Sequence, residues 1–163
     1  MLTVHIFRHA WAEQADPDRW PDDSLRPLTP EGKTRFRKFA QKLAARAVRC
    51  DGIATSPLRR CMQTAEILGD VLHCPRTIDV LNALRPEGDL EEVLRWLQSW
   101  PDAGQEVAIV GHAPQVAQMA TWFIGGGNLD CPKGGLTSIM FEQSVGPGRG
   151  ILVRLVKPAF LKC

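Results

Sequence analysis

Thr3-Val4-His5-Ile6-Phe7-Arg8-His9-Ala10 is a β-branched and aromatic run that ends abruptly on an arginine and a histidine. Such a run reads as a buried strand, over Thr3–Phe7, with the two polar residues at its carboxyl end. The same design recurs downstream. Gly52–Thr55 reads as a short strand followed by Ser56-Pro57-Leu58-Arg59-Arg60, and Glu106–Val110 as a buried strand followed by Gly111-His112-Ala113-Pro114. Helical stretches lie between them. Thr29 is a candidate N-cap with Pro30 at the first helical position, and Phe36, Phe39, Ala40, Leu43 and Ala44 make one apolar face through about Ala47. Ser56-Pro57 opens a second helix to about Leu72, Asp89 caps a third to about Trp100, and a fourth runs to about Phe123, where Gly125-Gly126-Gly127 stops it. Thr77–Leu81 adds a strand, and Thr137–Phe141 with Ile151–Val156 around Gly146-Pro147-Gly148 reads as a hairpin. Strands alternating with helices predict an α/β protein built on a layered sheet.

Composition narrows the function classes. At 163 residues, with 44% apolar and 23% charged residues, the chain suits one globular domain spanning 1–163. A net charge of +2 gives no reason to expect nucleic acid or an anionic membrane as partner. No apolar stretch approaches the roughly 18 residues needed to span a bilayer. The N-terminus lacks the basic region and cleavage site of a signal peptide, so a cytoplasmic location is expected. Five cysteines (Cys50, Cys61, Cys74, Cys131 and Cys163) without a CxxC pair suggest reduced thiols rather than disulfides or a zinc site. No unused apolar face stands out, so a monomer is expected.

The chemistry sits at the strand ends. In open α/β sheets ligands bind in the crevice at the carboxyl ends of the strands, where helix N-termini present free N–H groups. Arg8, His9, Arg60 and His112 all fall there. Two guanidinium forks beside two imidazoles suit a phosphate, whose oxygens they match bidentately. Trp11 to Leu28, rich in Pro and Asp, is a long irregular segment of the kind that carries function. His5 lies mid-strand and His73 at a helix end, and both read as structural. Gly125–Gly127 is a helix stop and not a phosphate loop, because no Lys-Ser/Thr follows.

In combination these segments resemble the histidine phosphatase superfamily, branch 1, and more closely the short SixA-type phosphohistidine phosphatases. The resemblance rests on Phe7-Arg8-His9-Ala10, Arg26-Pro27-Leu28-Thr29 with Gly32, and Ser56-Pro57-Leu58-Arg59-Arg60-Cys61-Met62-Gln63-Thr64-Ala65. It continues through Leu84-Arg85-Pro86-Glu87-Gly88-Asp89 and Val110-Gly111-His112-Ala113-Pro114 to Lys157-Pro158-Ala159-Phe160-Leu161-Lys162. It implies a three-layer α/β/α sandwich with a mostly parallel central sheet, of the phosphoglycerate mutase-like kind.

The resemblance also implies roles. His9 would be the nucleophile, forming a phosphohistidine that water then hydrolyses; Arg8, Arg60 and His112 would bind the phosphoryl oxygens. Fixed protein cations then replace a metal, so neither metal nor cofactor is expected. Arg26 is either a third phosphate contact or a tie between loop and sheet. Ala10 stands where the superfamily's Arg-His-Gly motif has glycine, and a negative φ would accommodate it. The general acid is open between Glu87, in the turn after the third strand, and Asp23, in the long loop. Imidazole is a better leaving group than an alkoxide and needs its proton less, so an ambiguous acid fits phosphohistidine better than a sugar phosphate. The short turn between Leu81 and Leu90 leaves little room for a lid, which suits a phosphorylated side chain presented by another protein, a histidine-phosphotransfer domain being one candidate.

Two other readings stay open. One is a small-molecule phosphomonoesterase or mutase on the same fold; the other is a noncatalytic phosphoprotein-binding module. Other phosphatase chemistries fit poorly. No cysteine is followed six positions later by arginine, Asp16-Pro17-Asp18 lies away from a strand end, and no acidic cluster suits two metals.

Overall fold

A computed structural model describes residues 1–101 and 105–161, so Lys162 of the C-terminal segment and Cys163 lie outside the described residues. The strands are β1 (Leu2–Arg8), β2 (Gly52–Thr55), β3 (Asp79–Val80), β4 (Gln105–Gly111), β5 (Leu136–Phe141) and β6 (Ile151–Val156). The helices are α1 (Pro30–Ala44), α2 (Arg59–Val71), α3 (Leu90–Gln98) and α4 (Gln115–Ile124). One sheet runs in the order β3-β2-β4-β1-β5-β6. Its first three pairings are parallel and its last two antiparallel, β5 and β6 forming the expected hairpin.

The alternation of side chains across the strands separates two apolar layers. Leu2, Val4, Ile6, Val107, Ile109 and Ile139 pack toward Val93, Leu97, Met119 and Phe123 of α3 and α4. Phe7, Ile53, Ala108 and Val110 pack toward Phe36, Leu43, Ala65 and Leu68 of α1 and α2. Helices therefore cover both faces, as the α/β/α expectation has it. Burying one such side chain fully is worth about 1.5–3 kcal/mol, so each helix is held mainly by its apolar face.

Parallel pairing of β1, β2, β3 and β4 brings all their carboxyl ends to one edge. That edge carries Arg8, the segment after Thr55, the turn after Val80 and the segment after Gly111. At the same edge Thr29 caps α1, its Oγ1 accepting from the Gly32 N–H at 2.9 Å. A Cβ on residue 32 would stand 2.2 Å from the Trp11 carbonyl oxygen, so only glycine lets α1 start this close to the loop.

The long segment after β1 is not shapeless. An isolated antiparallel bridge joins Ala12 to Leu28, and a short 3-10 turn spans Asp23–Leu25. His5 is fully buried and satisfied: Nδ1 lies 2.8 Å from Ser138 Oγ and Nε2 lies 2.8 Å from Glu106 Oε2. With Ser138 fully buried too, this row braces β1, β4 and β5, and it meets solvent only at the partly exposed Glu106 end. Cys50, Cys61, Cys74 and Cys131 are free thiols. Among the described residues no helix is long and apolar enough to cross a membrane.

Candidate active site

His9 follows β1 and is 7% exposed. Its backbone N–H donates to the Gly111 carbonyl oxygen at 2.9 Å, which locks it to the end of β4. Its ring Nδ1 lies 2.7 Å from the carbonyl oxygen of Ala10. A carbonyl only accepts, so Nδ1 carries the proton and Nε2 holds a free lone pair. Burial first, opposed by that carbonyl bond and reinforced by Arg60, Arg8 and Arg26, lowers the His9 pKa to about 4. The ring is therefore neutral and nucleophilic at neutral pH.

His112 follows β4 and is 3% exposed, with its ring centroid 5.4 Å from that of His9. Its Nε2 lies 2.8 Å from Ser56 Oγ and 3.4 Å from the buried Cys61 Sγ. Burial and then Arg60 and His9 lower its pKa to about 3, so it too is neutral in the free protein. Burial pushes the Cys61 thiol up to about 12, which makes it an inert packing group.

Arg60 lies in the first turn of α2 and is 5% exposed. One nitrogen donates to the Asp23 carbonyl oxygen at 3.1 Å, and another stands 3.2 Å from the Asp23 carboxylate. Arg8 ends β1, and its Nη1 donates to the Cys131 carbonyl oxygen at 3.3 Å. The Nε groups of both arginines are buried without a hydrogen-bond partner. Leaving such a donor unmade costs about 1–3 kcal/mol, and an oxyanion is the acceptor that would relieve it. The four residues singled out at the strand ends thus meet in one place.

The remaining candidates separate. The Asp23 carboxylate also accepts from Arg26 Nε at 2.8 Å, and hydrogen bonding from Arg26, with Arg60 close by, lowers its pKa. A carboxylate held ionised by two guanidiniums is a poor proton donor. Arg26 commits Nη1 to the Glu13 carbonyl oxygen at 2.7 Å as well as Nε to Asp23, so it ties the loop together beside the site. Glu87 is exposed in the turn after β3, on the same edge of the sheet.

Three further side chains shape the site. Thr64 Oγ1 accepts from the Ala10 N–H at 3.0 Å and donates to the Arg60 carbonyl oxygen at 2.7 Å, joining the two arginine motifs. Ser56 reaches His112 as described. Gln115, 3% exposed, donates from Nε2 to the carbonyl oxygens of Ala83 at 2.8 Å and Gly88 at 3.2 Å, bracing the turn that bears Glu87. Ser56 and Thr64 lie within quoted motifs, but their partners are remote in sequence, and for Gln115 the only local signal is its place three residues after His112.

Comparison with known proteins agrees with this geometry. Residues 4–93 match the histidine phosphatase superfamily (branch 1). The chain is 36% identical over 119 residues to the phosphohistidine phosphatase SixA of Escherichia coli K12, covering 72% of this chain and 71% of that one. It is 39% identical over 122 residues to an uncharacterized protein of Picosynechococcus, covering 73% and 71% of the two. Its fold superposes with a TM-score of 0.86 on the protein histidine phosphatase SixA complexed with tungstate, at 30% identity over 98% of this chain and 99% of that one. The chain therefore belongs to the histidine phosphatase superfamily, branch 1, and is SixA-like within it.

Proposed function

We propose that this phosphatase removes the phosphoryl group from phosphohistidine in a protein, without a metal, through a covalent intermediate on His9. The observation that carries the reading is the His9 tautomer. With Nδ1–H given to Ala10, Nε2 is the only nitrogen free to attack phosphorus, and its low pKa keeps it unprotonated.

In the first step the His9 Nε2 lone pair forms a bond to phosphorus while the P–N bond to the substrate imidazole breaks. That imidazole takes a proton as it leaves. Of the two acid candidates, Glu87 suits this task and Asp23 does not, because Asp23 stays ionised between Arg26 and Arg60. In the second step water attacks phosphohistidine 9, releasing inorganic phosphate and restoring neutral His9. Arg8 and Arg60 hold the phosphoryl oxygens through both steps, and His112 adds a donor once the bound dianion raises its affinity for a proton. Tungstate, a tetrahedral oxyanion, in the complex of the related SixA supports an anion site of this kind.

A small-molecule phosphomonoesterase is the competing reading. Rates on free phosphohistidine and on a phosphorylated histidine-phosphotransfer domain, set against phosphoserine, sugar phosphates and phosphoglycerate, test it. The phosphohistidine substrates are expected to exceed the esters by at least about a hundredfold in kcat/KM, since an imidazole leaves more readily than an alkoxide. Equal or faster turnover of an ester would contradict the reading.

A further inference from the structure

We propose that the outer face of α1, together with Phe160, is the docking surface for an acidic protein that presents its phosphoryl group to the site. The inference rests on the phosphoprotein reading above and names the chemistry of the partner.

Charge is strongly segregated in this chain. Residues 30–49 hold seven of its 20 Lys and Arg residues and a single acid, Glu31, so this stretch carries +6 where the whole chain carries +2. The apolar side of α1 is buried against α2 and the sheet, which leaves the cations outside. Within this face Arg35, Lys38 and Lys42 form a row at helical spacing. Grooves flank it: one is lined by Pro30, Glu31, Thr34, Arg35 and Lys38, the other by Arg35, Lys38, Phe39, Lys42, Pro158 and Leu161.

Two contacts tie the row to its surroundings. The Arg35 guanidinium stacks 3.7 Å from the centre of the Trp11 ring, and Trp11 follows His9 by two residues. The basic face is thereby continuous with the active-site loop. At its other end Lys42 donates to the Leu161 carbonyl oxygen, which fixes the C-terminal 3-10 turn against α1. That turn displays Phe160 with 75% of its surface exposed, the most exposed of the large apolar side chains among the described residues. An aromatic knob beside a row of cations is the composition of a protein-binding surface, with the aromatic as anchor and the charges as steering. A single aromatic offers no successive stacking platforms, so single-stranded nucleic acid fits this surface less well.

The test separates docking from chemistry. A histidine-phosphotransfer domain of net negative charge, phosphorylated on its histidine, is titrated into full-length His9→Ala protein, where no turnover occurs. The combination Lys38→Glu with Phe160→Ala in that background should weaken binding at least about tenfold, and binding by the parent should weaken with salt. Arg149→Glu, a charge reversal on the loop before β6, should leave it unchanged. Equal affinity of parent and Lys38→Glu/Phe160→Ala protein, an equal loss with Arg149→Glu, no binding at all, or tighter binding of a random single-stranded RNA would each overturn the proposal. Wild-type protein is assayed in parallel on free phosphohistidine. Failure there would refute the phosphohistidine reading, while the titration still decides the docking surface.

Discussion

Asp23 grips Arg60 twice, through its backbone carbonyl oxygen at 3.1 Å and its carboxylate at 3.2 Å, and so fixes the guanidinium that we propose binds the phosphoryl group. Asp23 opens the 3-10 turn Asp23–Leu25, which Asp22 caps by accepting from the Ser24 N–H at 3.0 Å. In the proposed mechanism the long loop after β1 is thus a scaffold for one arginine, and Asp23, held ionised, is not its proton donor.

Asp23→Asn is accordingly expected to act on phosphate binding and not on proton transfer. It keeps the backbone contact and weakens the charged one. We expect KM to rise by roughly three- to tenfold, with kcat little changed and the same effect on good and poor leaving groups. Loss of a general acid would instead cost roughly 100- to 10,000-fold, concentrated on poor leaving groups. A series of substrates graded by leaving-group pKa distinguishes the two.

Glu87 depends on the turn that carries it. A Cβ at Gly88 would lie 1.9 Å from the Ala83 carbonyl oxygen, so Gly88→Ala must displace the turn that Gln115 braces. The predicted outcome is a folded protein with kcat reduced about tenfold or more on poor leaving groups and nearly unchanged on good ones. Leaving-group dependence that stays at the wild-type slope in both Gly88→Ala and Glu87→Gln would remove Glu87 from the mechanism.

The acid limb of activity should report the buried histidines. In the proposed mechanism His9 must be unprotonated to attack, and its pKa is lowered to about 4, so kcat/KM should hold steady through pH 6.5 and fall only near pH 4. The two rings are close enough that the fall belongs to the pair and not to one residue. After correction for the substrate's own ionisation, an acid limb centred near 6.5 would contradict a buried nucleophile.

Stability should show the same groups. Unfolded histidine titrates near 6.5, whereas folded His9 and His112 resist protonation until about 4 and about 3. Between those values the unfolded chain binds more protons, so stability falls as pH drops below 6.5 and is fully retained above it. For His9 the full effect is about 3 kcal/mol. Urea unfolding from pH 7.5 to 5 measures the upper part of this loss, and a His9→Gln/His112→Gln variant should give a flatter curve over that window.

Much of this was written in local patterns. Strand ends, the Thr29 cap and the Gly125 stop follow from side-chain chemistry that acts within a few residues, and Gly125 indeed adopts φ +91° after α4. Where expectation and structure differ, tertiary context intervenes. The Ala-rich stretch after Leu43 favours helix through Ala47, yet α1 ends at Ala44. Ala47 turns left-handed at φ +59°, and the Val48 N–H returns to the Leu43 carbonyl oxygen at 3.1 Å, a helix stop usually marked by glycine. His73 ends α2 in the same way at φ +52°, with Cys74 N–H donating to Gly69. The strand expected over Thr77–Leu81 shrinks to Asp79–Val80, because this sheet edge is exposed and pairs with β2 alone. α2 begins at Arg59, since Ser56 Oγ instead accepts from the Leu58 N–H at 3.3 Å and reaches His112. The arginines and histidines were legible from their strand-end positions, whereas Ser56, Thr64 and Gln115 act across the fold.

Trapping the intermediate probes the covalent step most directly. Wild-type protein is mixed with a histidine-phosphorylated donor, quenched in alkali, and measured by intact mass before and after acid treatment. The expected result is one added phosphoryl group per chain, lost in acid, localised to His9 by peptide mapping and missing in His9→Ala. An acid-stable adduct, or label of equal yield in His9→Ala, would move the nucleophile elsewhere.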